Sequence, residues 1–232
     1  MCYPSAMPAK NSRKLYVENS YYHIYNRGVE KRKIFLNPQD YGVFLGYLKE
    51  YLLPKNENAL HESLSNPNTS LQEKAKLLKL LRLNNFTNEI TLLAYCLMPN
   101  HFHFFVKQKS SESIDKFIQS LCTRYTMYFN RKYKRVGSLY QGVYKAVQIT
   151  SEPQFIYLSK YIHRQALALQ GETLQEQPSS YLDYLGKRKT EWVKPDEVLA
   201  YFSKSIPSLT YQSFVEETED MGDIQDIVLD EE

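Results

Sequence analysis

Residues 21–28, YYHIYNRG, alternate as a half-buried strand does, and Arg27-Gly28 closes the run with a turn signal. Asn37-Pro38 then opens a helix, with Tyr41, Phe44, Leu45 and Leu48 at helical spacing, running to about Leu52 and stopped by Pro54. From 54 to 88 the composition turns to Asn, Ser and Lys around one amphipathic stretch, LQEKAKLLKLLRL. That segment reads as an insertion carrying its own helix, whose Leu71, Ala75, Leu78 and Leu81 should dock on the body. A buried-strand composition over 90–97, the turn Met98-Pro99-Asn100 and a second strand over 101–108 form a hairpin. Residues 113–133 are a long amphipathic helix with Ile114, Phe117, Ile118, Leu121, Tyr125 and Tyr128 on one side. The loop GSLYQG leads to a strand over 143–150, and Ser151 to Gln154 resembles a capping box starting a helix over 152–167. Short helical pieces follow, notably over 195–203. The order is strand, helix, insertion, strand, strand, helix, strand, helix. It predicts an α+β fold, a ferredoxin-like split β-α-β unit with an antiparallel sheet and helices on one face.

Composition narrows the class. The chain has 232 residues, 43% hydrophobic and 24% charged, enough to bury a core. Three widely spaced cysteines with no CxxC pair argue against a disulfide framework or zinc ribbon and suit a reducing, cytoplasmic setting. The longest apolar run, 90–98, is about half a membrane span, and the first residues lack the apolar stretch of a signal peptide. The net charge of +3 conceals an asymmetry. Residues 216–232 hold nine acids and no Lys or Arg, which leaves 17 acidic against 29 basic residues, or +12, on the body. Such a body is suited to polyanions, and the acidic end reads either as a disordered, solubilising tail or as a nucleic-acid mimic folded over the basic surface. Tyrosine is abundant, with 20 Tyr against 11 Phe and one Trp, as rings that stack on bases or donate hydrogen bonds would require.

His101-Phe102-His103 is the sharpest chemical signal. Residues two apart on a strand share a face, so the two imidazoles project together while Phe102 packs on the other side. Two neutral imidazoles are half of a metal site. On the helix after the last strand, Tyr157, Tyr161 and Gln165 follow one another at i, i+4, while Leu158 and Ile162 lie on the core-facing stripe. A glutamine carbonyl can serve as a weak oxygen ligand, and two imidazoles plus a carbonyl suit Mg²⁺ or Mn²⁺ bridging a phosphate better than structural zinc. Without the His pair, Tyr161 and Gln165 read first as ordinary half-exposed helix residues.

Three runs in order, LMPNHFHFFVKQ (97–108), TRYTMYFNRKYKRVGSLYQGVYKA (123–146) and YLSKYIHRQA (157–166), resemble the single-tyrosine HUH transposases, in particular the REP-associated tyrosine transposases. HUH denotes histidine, hydrophobic residue, histidine. The resemblance spans about 21–166. It implies that His101 and His103 are metal ligands, that Tyr161 is the nucleophile and that Gln165 completes the metal site. REP-associated relatives often carry Asn-Pro where this chain has Gln165-Ala166; Gln at the ligand position is the insertion-sequence form. The implied activity is a DNA transesterase that cleaves and rejoins single-stranded or hairpin DNA through a 5′-phosphotyrosine, with Mg²⁺ or Mn²⁺. Tyrosine's reference pKa of about 10 makes phenolate at pH 7 cost about 4 kcal/mol, so proton loss must accompany attack. A non-cleaving, domesticated nucleic-acid-binding protein and a phosphodiesterase using water are the alternatives.

For DNA contact the expected residues are Arg27, Arg124, Arg131, Lys132, Lys134, Arg135, Lys145 and Lys160, with Tyr140 among the interleaved rings Tyr125, Tyr128, Tyr133 and Tyr144. His23 and His163 read as packing groups or phosphate neighbours. The expected organisation is a catalytic domain over 15–170 with the insertion at 54–88, a helical extension over 171–215 and the acidic tail over 216–232. A monomer is preferred to a homodimer.

Overall fold

In the computed structural model, which describes residues 16–167 and 178–217, the chain begins its regular structure with β1 (Tyr21–Arg27). Helix α1 (Pro38–Leu52) follows, started by Asn37, whose side chain accepts from Asp40 N–H, and by Pro38 in the first turn. Then come α2 (Glu57–Ser65), α3 (Leu71–Arg82), β2 (Ile90–Met98), β3 (His101–Gln108), α4 (Ser113–Lys132), β4 (Lys145–Ile149) and α5 (Glu152–Leu167). The extension contributes α6 (Tyr181–Tyr184), α7 (Asp196–Leu199) and α8 (Tyr211–Glu216). All neighbouring strands are antiparallel, in the order β2-β3-β1-β4, so the sheet and its split β-α-β connections are those expected from the sequence.

Alternation divides the sheet into two faces. Tyr22 and Ile24 of β1 and Phe102, Phe104 and Val106 of β3 join the core made with α1 and α4, including Phe44, Leu48, Phe117, Leu121 and Tyr125. Phe105 of β3 and Leu93, Ala94 and Cys96 of β2 point the other way and pack against Phe155, Leu158, Tyr161 and Ile162 of α5 and against Tyr181, Tyr184 and Tyr211 of the extension. Helices therefore cover both faces rather than one: α1 and α4 form the expected layer and α5 a second. The apolar stripe of α5 would be left in water without a sheet face of its own, and the bulge between Leu92 and Ala94 turns extra apolar side chains toward it.

The extension also closes the sheet's β2 side. Ser180 N–H donates to Tyr95 O, Leu97 N–H to Pro178 O and Lys194 N–H to Leu92 O, so two short segments occupy a strand edge that would otherwise be open to pairing. Buried His163 of α5 anchors the first of them and α8, with Nε2 2.8 Å from Ser180 Oγ and Nδ1 2.5 Å from Tyr211 Oη.

Four expectations about elements need correcting. The insertion carries two helices, because Asn56 caps α2 by accepting from Ala59 N–H ahead of the capping box of Ser70 and Glu73 that starts α3. Its apolar stripe is not buried against the body: Leu71 is 85% exposed, Leu78 and Ala75 are exposed, Leu81 is half-buried, and neither α2 nor α3 has a buried residue. The last strand starts at Lys145, later than 143, since Gly142 takes φ 118° in a turn. The helix expected over 195–203 is the single turn α7. The acidic stretch from 218 onward lies outside the described residues.

Asp40 ties the α1–α4 layer together. Its fully buried carboxylate accepts from Lys132 Nζ (2.7 Å), Tyr133 Oη (2.8 Å), Leu36 N–H (2.8 Å) and Tyr128 Oη (3.0 Å). Burial pushes its pKa up, but the four donors outweigh that and hold it below the ordinary carboxylate value. A depressed folded pKa contributes stability above the unfolded value of 3.8 that is lost as pH falls through the folded one. Asp40→Asn should cost about 2–3 kcal/mol at neutral pH, discounted from a fully buried pair because Lys132 is partly exposed. In urea titrations from pH 7 to pH 2 the gap between wild type and variant should stay constant down to about pH 5 and narrow below it.

Candidate active site

The β2–β3 turn is fixed from outside the hairpin. Pro99 O accepts from Ile34 and Phe35 N–H, at 2.7 and 3.0 Å, and Asn100 O accepts from Gly28 N–H at 2.8 Å. Gly28 has to be a glycine for this approach, since a Cβ there would lie 2.2 Å from Arg32 O. Directly after the clamped turn comes His101, whose Nδ1 lies 2.6 Å from Asn100 Oδ1.

His101 and His103 share the face covered by α5, with ring centroids 4.8 Å apart. The Tyr161 ring stands edge-on to His103 at 5.4 Å and to His23 at 5.8 Å. The structure thus brings the HUH pair and the expected nucleophile together within one chain. Gln165, one helical turn beyond Tyr161, is half-buried on the same helix.

The site is poor in charge and sheltered from water. Burial pushes the pKa of His101 down to about 4, helped by the Arg27 cation, and pushes that of His103 well below its ordinary value, helped by His23 and His101. Both imidazoles are neutral at pH 7, the state in which a ring nitrogen can ligate a cation. His103 Nε2 is buried without a hydrogen-bond partner, as the ligating atom of a metal-binding imidazole would be. These two features fit a divalent cation held by the HUH pair. Among the described residues no group of three or more His, Cys, Asp or Glu is placed to hold a metal.

Two further residues complete this site: His23, read from sequence as a packing group or phosphate neighbour, and Tyr25, given no role there. His23 Nε2 lies 2.9 Å from His103 Nδ1, and Tyr25 packs on His23 at 4.9 Å. Both belong to β1, where alternation puts residues 21, 23 and 25 on one face; the strand reading alone carried that signal, but only the register across to β3 reveals the partner.

The expected DNA contacts divide sharply. Arg27 pairs across the sheet with His101, and Lys145 with Tyr25, so both border the imidazole pair, and Arg27 Nε donates to Gln141 Oε1. Arg131 and Lys134 are exposed at and after the end of α4. The other five are engaged internally. Arg124 is ion-paired to Glu50 at 2.6 Å and stacked on Tyr47, Lys132 serves Asp40, and Arg135 donates to Asn130 Oδ1 over the Phe129 ring. Lys160 is 1% exposed, with its ammonium 4.7 Å from the Phe214 ring, and Tyr140 is buried against Phe102. None of these five is presented as a free cation or an open ring. Tyr125, Tyr128, Tyr133 and Tyr144 are likewise buried or half-buried, donating to Ile34 O, to Asp40 and to Asp115. They are polar ties of the core rather than stacking platforms.

Residues 68–165 match the family model for IS200-like transposases. No curated protein matches the chain. Among solved structures, a REP-associated tyrosine transposase bound to a REP hairpin is similar at 9% identity, covering 80% of this chain and 97% of that one with a TM-score of 0.47. A Deinococcus radiodurans R1 protein assigned to the transposases is 17% identical over 67% of this chain and 97% of its own, with a TM-score of 0.28. The segment that is similar to the IS200-like transposases holds His101, His103, Tyr161 and Gln165.

Proposed function

We propose that the chain is a metal-dependent DNA transesterase that cuts and rejoins single-stranded or hairpin DNA through Tyr161. The observation that carries this reading is the meeting of the Tyr161 ring with His103 at 5.4 Å, on a sheet face where His103 Nε2 is buried and unpartnered. Tyr161 Oη attacks the scissile phosphorus, a 5′-phosphotyrosine bond forms, and the phosphorus–oxygen bond to the 3′ side breaks. The phenol proton is given up as attack proceeds, and the departing 3′ oxygen gains a proton to become a hydroxyl. Phosphoester energy is kept in the new bond, so the reverse attack by a 3′-hydroxyl rejoins strands without a nucleotide cofactor. Mg²⁺ or Mn²⁺ held by His101, His103 and Gln165 would neutralise the charge developing on the phosphate. Packing of α5 over the imidazoles excludes water that would otherwise hydrolyse the adduct. Histidines and tyrosine meet within one chain, which supports a cis site and a monomer as the working unit.

With Mn²⁺ and a labelled hairpin DNA, wild type should give a covalent adduct on denaturing gels, and Tyr161→Phe should give none. Cleavage that survives in Tyr161→Phe would mean that water attacks. Binding with no cleavage by wild type would mean a non-cleaving DNA-binding protein.

Grip on the strand is assigned to the cations bordering the site or left exposed, Arg27, Lys145, Arg131 and Lys134. Arg27→Ala and Lys145→Ala should each weaken DNA binding and lower the slope of log K against log salt by about 0.7 for a single strand, at unchanged urea stability. Lys132→Ala and Lys160→Ala should do the opposite, lowering stability while leaving the salt slope as it is.

A further inference from the structure

His103 uses Nδ1 in the 2.9 Å hydrogen bond to His23 Nε2, while its own Nε2 is buried without a partner. Only one proton can lie between the two rings, so there are two arrangements. If His23 donates, His103 must carry its proton on Nε2, where a buried N–H meets no acceptor. If His103 donates from Nδ1, its Nε2 keeps a bare lone pair, which is a ligand atom. His101 already follows the second pattern: the Asn100 amide oxygen 2.6 Å from its Nδ1 can only accept, which puts the proton on Nδ1 and leaves Nε2 free to ligate.

We propose that His23 is a positioning residue that accepts the Nδ1 proton of His103, fixing the tautomer and ring orientation in which His103 Nε2 faces a divalent cation. The proposal rests on the reading of His101 and His103 as metal ligands. His23 is well built for the task. It is fully buried on β1, two pairs along the ladder from the Tyr25–His103 pair and on the same face, within diagonal reach of His103 across the strands. Tyr25 at 4.9 Å and Tyr161 at 5.8 Å hold its ring from two sides. It is not a ligand itself, since its Nε2 is spent on His103 and no three-residue His, Cys, Asp or Glu cluster surrounds a metal position among the described residues. Partners of this kind orient ligating histidines and raise their basicity, and losing one typically weakens metal binding about 10- to 100-fold.

The test is Mn²⁺ binding to the full chain without DNA, read by the electron paramagnetic resonance of free Mn²⁺. His23→Phe keeps the bulk and removes the acceptor, and should weaken binding about 10- to 100-fold. His23→Gln, which can place an amide oxygen near the lost Nε2, should recover most of it. A folded His23→Phe that binds Mn²⁺ within about twofold of wild type overturns the proposal, as does a His23→Gln no better than His23→Phe. Nitrogen-15 NMR of the wild-type, metal-free chain gives a reading that no variant's folding can disturb: His103 should be protonated on Nδ1, and protonation on Nε2 overturns the proposal. If His103→Ala binds Mn²⁺ as well as wild type, the ligand assignment beneath the proposal fails instead, and the two failures are told apart.

Discussion

Two opposite demands meet on β3, and the period-two alternation of a strand is what reconciles them. Phe102, Phe104 and Val106 require an apolar cover, which α1 and α4 provide. His101 and His103 require a cover that excludes water yet leaves ring nitrogens available, and α5 with Tyr161 provides that. A shift of β3 by one residue would send both imidazoles into the apolar core and Phe102, Phe104 and Val106 toward Tyr161. The turn clamp by Gly28, Ile34 and Phe35 and the bulge in β2 hold the register against such a slip.

The tyrosine excess has a physical account that differs from nucleic-acid stacking. Tyr125 donates to Ile34 O, Tyr184 to Leu93 O, and Tyr128 and Tyr133 to Asp40, each bringing a large ring and one hydrogen bond to a buried position that Phe would leave with an unsatisfied acceptor. Basic residues are consumed in the same way. Lys132 and Arg124 join α1 to α4, and Arg188 closes a turn onto Asp183. The basic excess of the body is therefore smaller at its surface than a count of side chains indicates.

Much of the scaffold was legible because it is local. The caps at Asn37 and Ser151, the two-residue turn at Pro99 and Asn100, and the i, i+4 placement of Tyr161 and Gln165 can all be read within a few residues of chain. The face that α5 covers was not legible, since an amphipathic stripe says that a helix is buried but not against which layer. Nor was the His23–His103 contact, which joins positions 80 apart in sequence through strand register. The assignment of Lys160 and Tyr140 to DNA failed for the converse reason: residue type suggests a polyanion contact, but the burial of each is decided by α8 and by the packing of the 138–144 loop, which no short window contains.

The helical hairpin of α2 and α3 leaves the core unchanged, sharing no buried residue with it. Its ends are stitched at one place, where Lys55 Nζ donates to Leu81 O and Leu83 O, bringing the exit of α1 back beside the approach to β2. For the rest of the molecule the hairpin is thus a tether between two points already close together. In chain-statistical terms doubling such a tether costs only about 0.6 kcal/mol, so its length and sequence are nearly free variables. Evolution can lengthen, shorten or re-surface this arm while the registers that align the imidazoles with Tyr161 stay untouched.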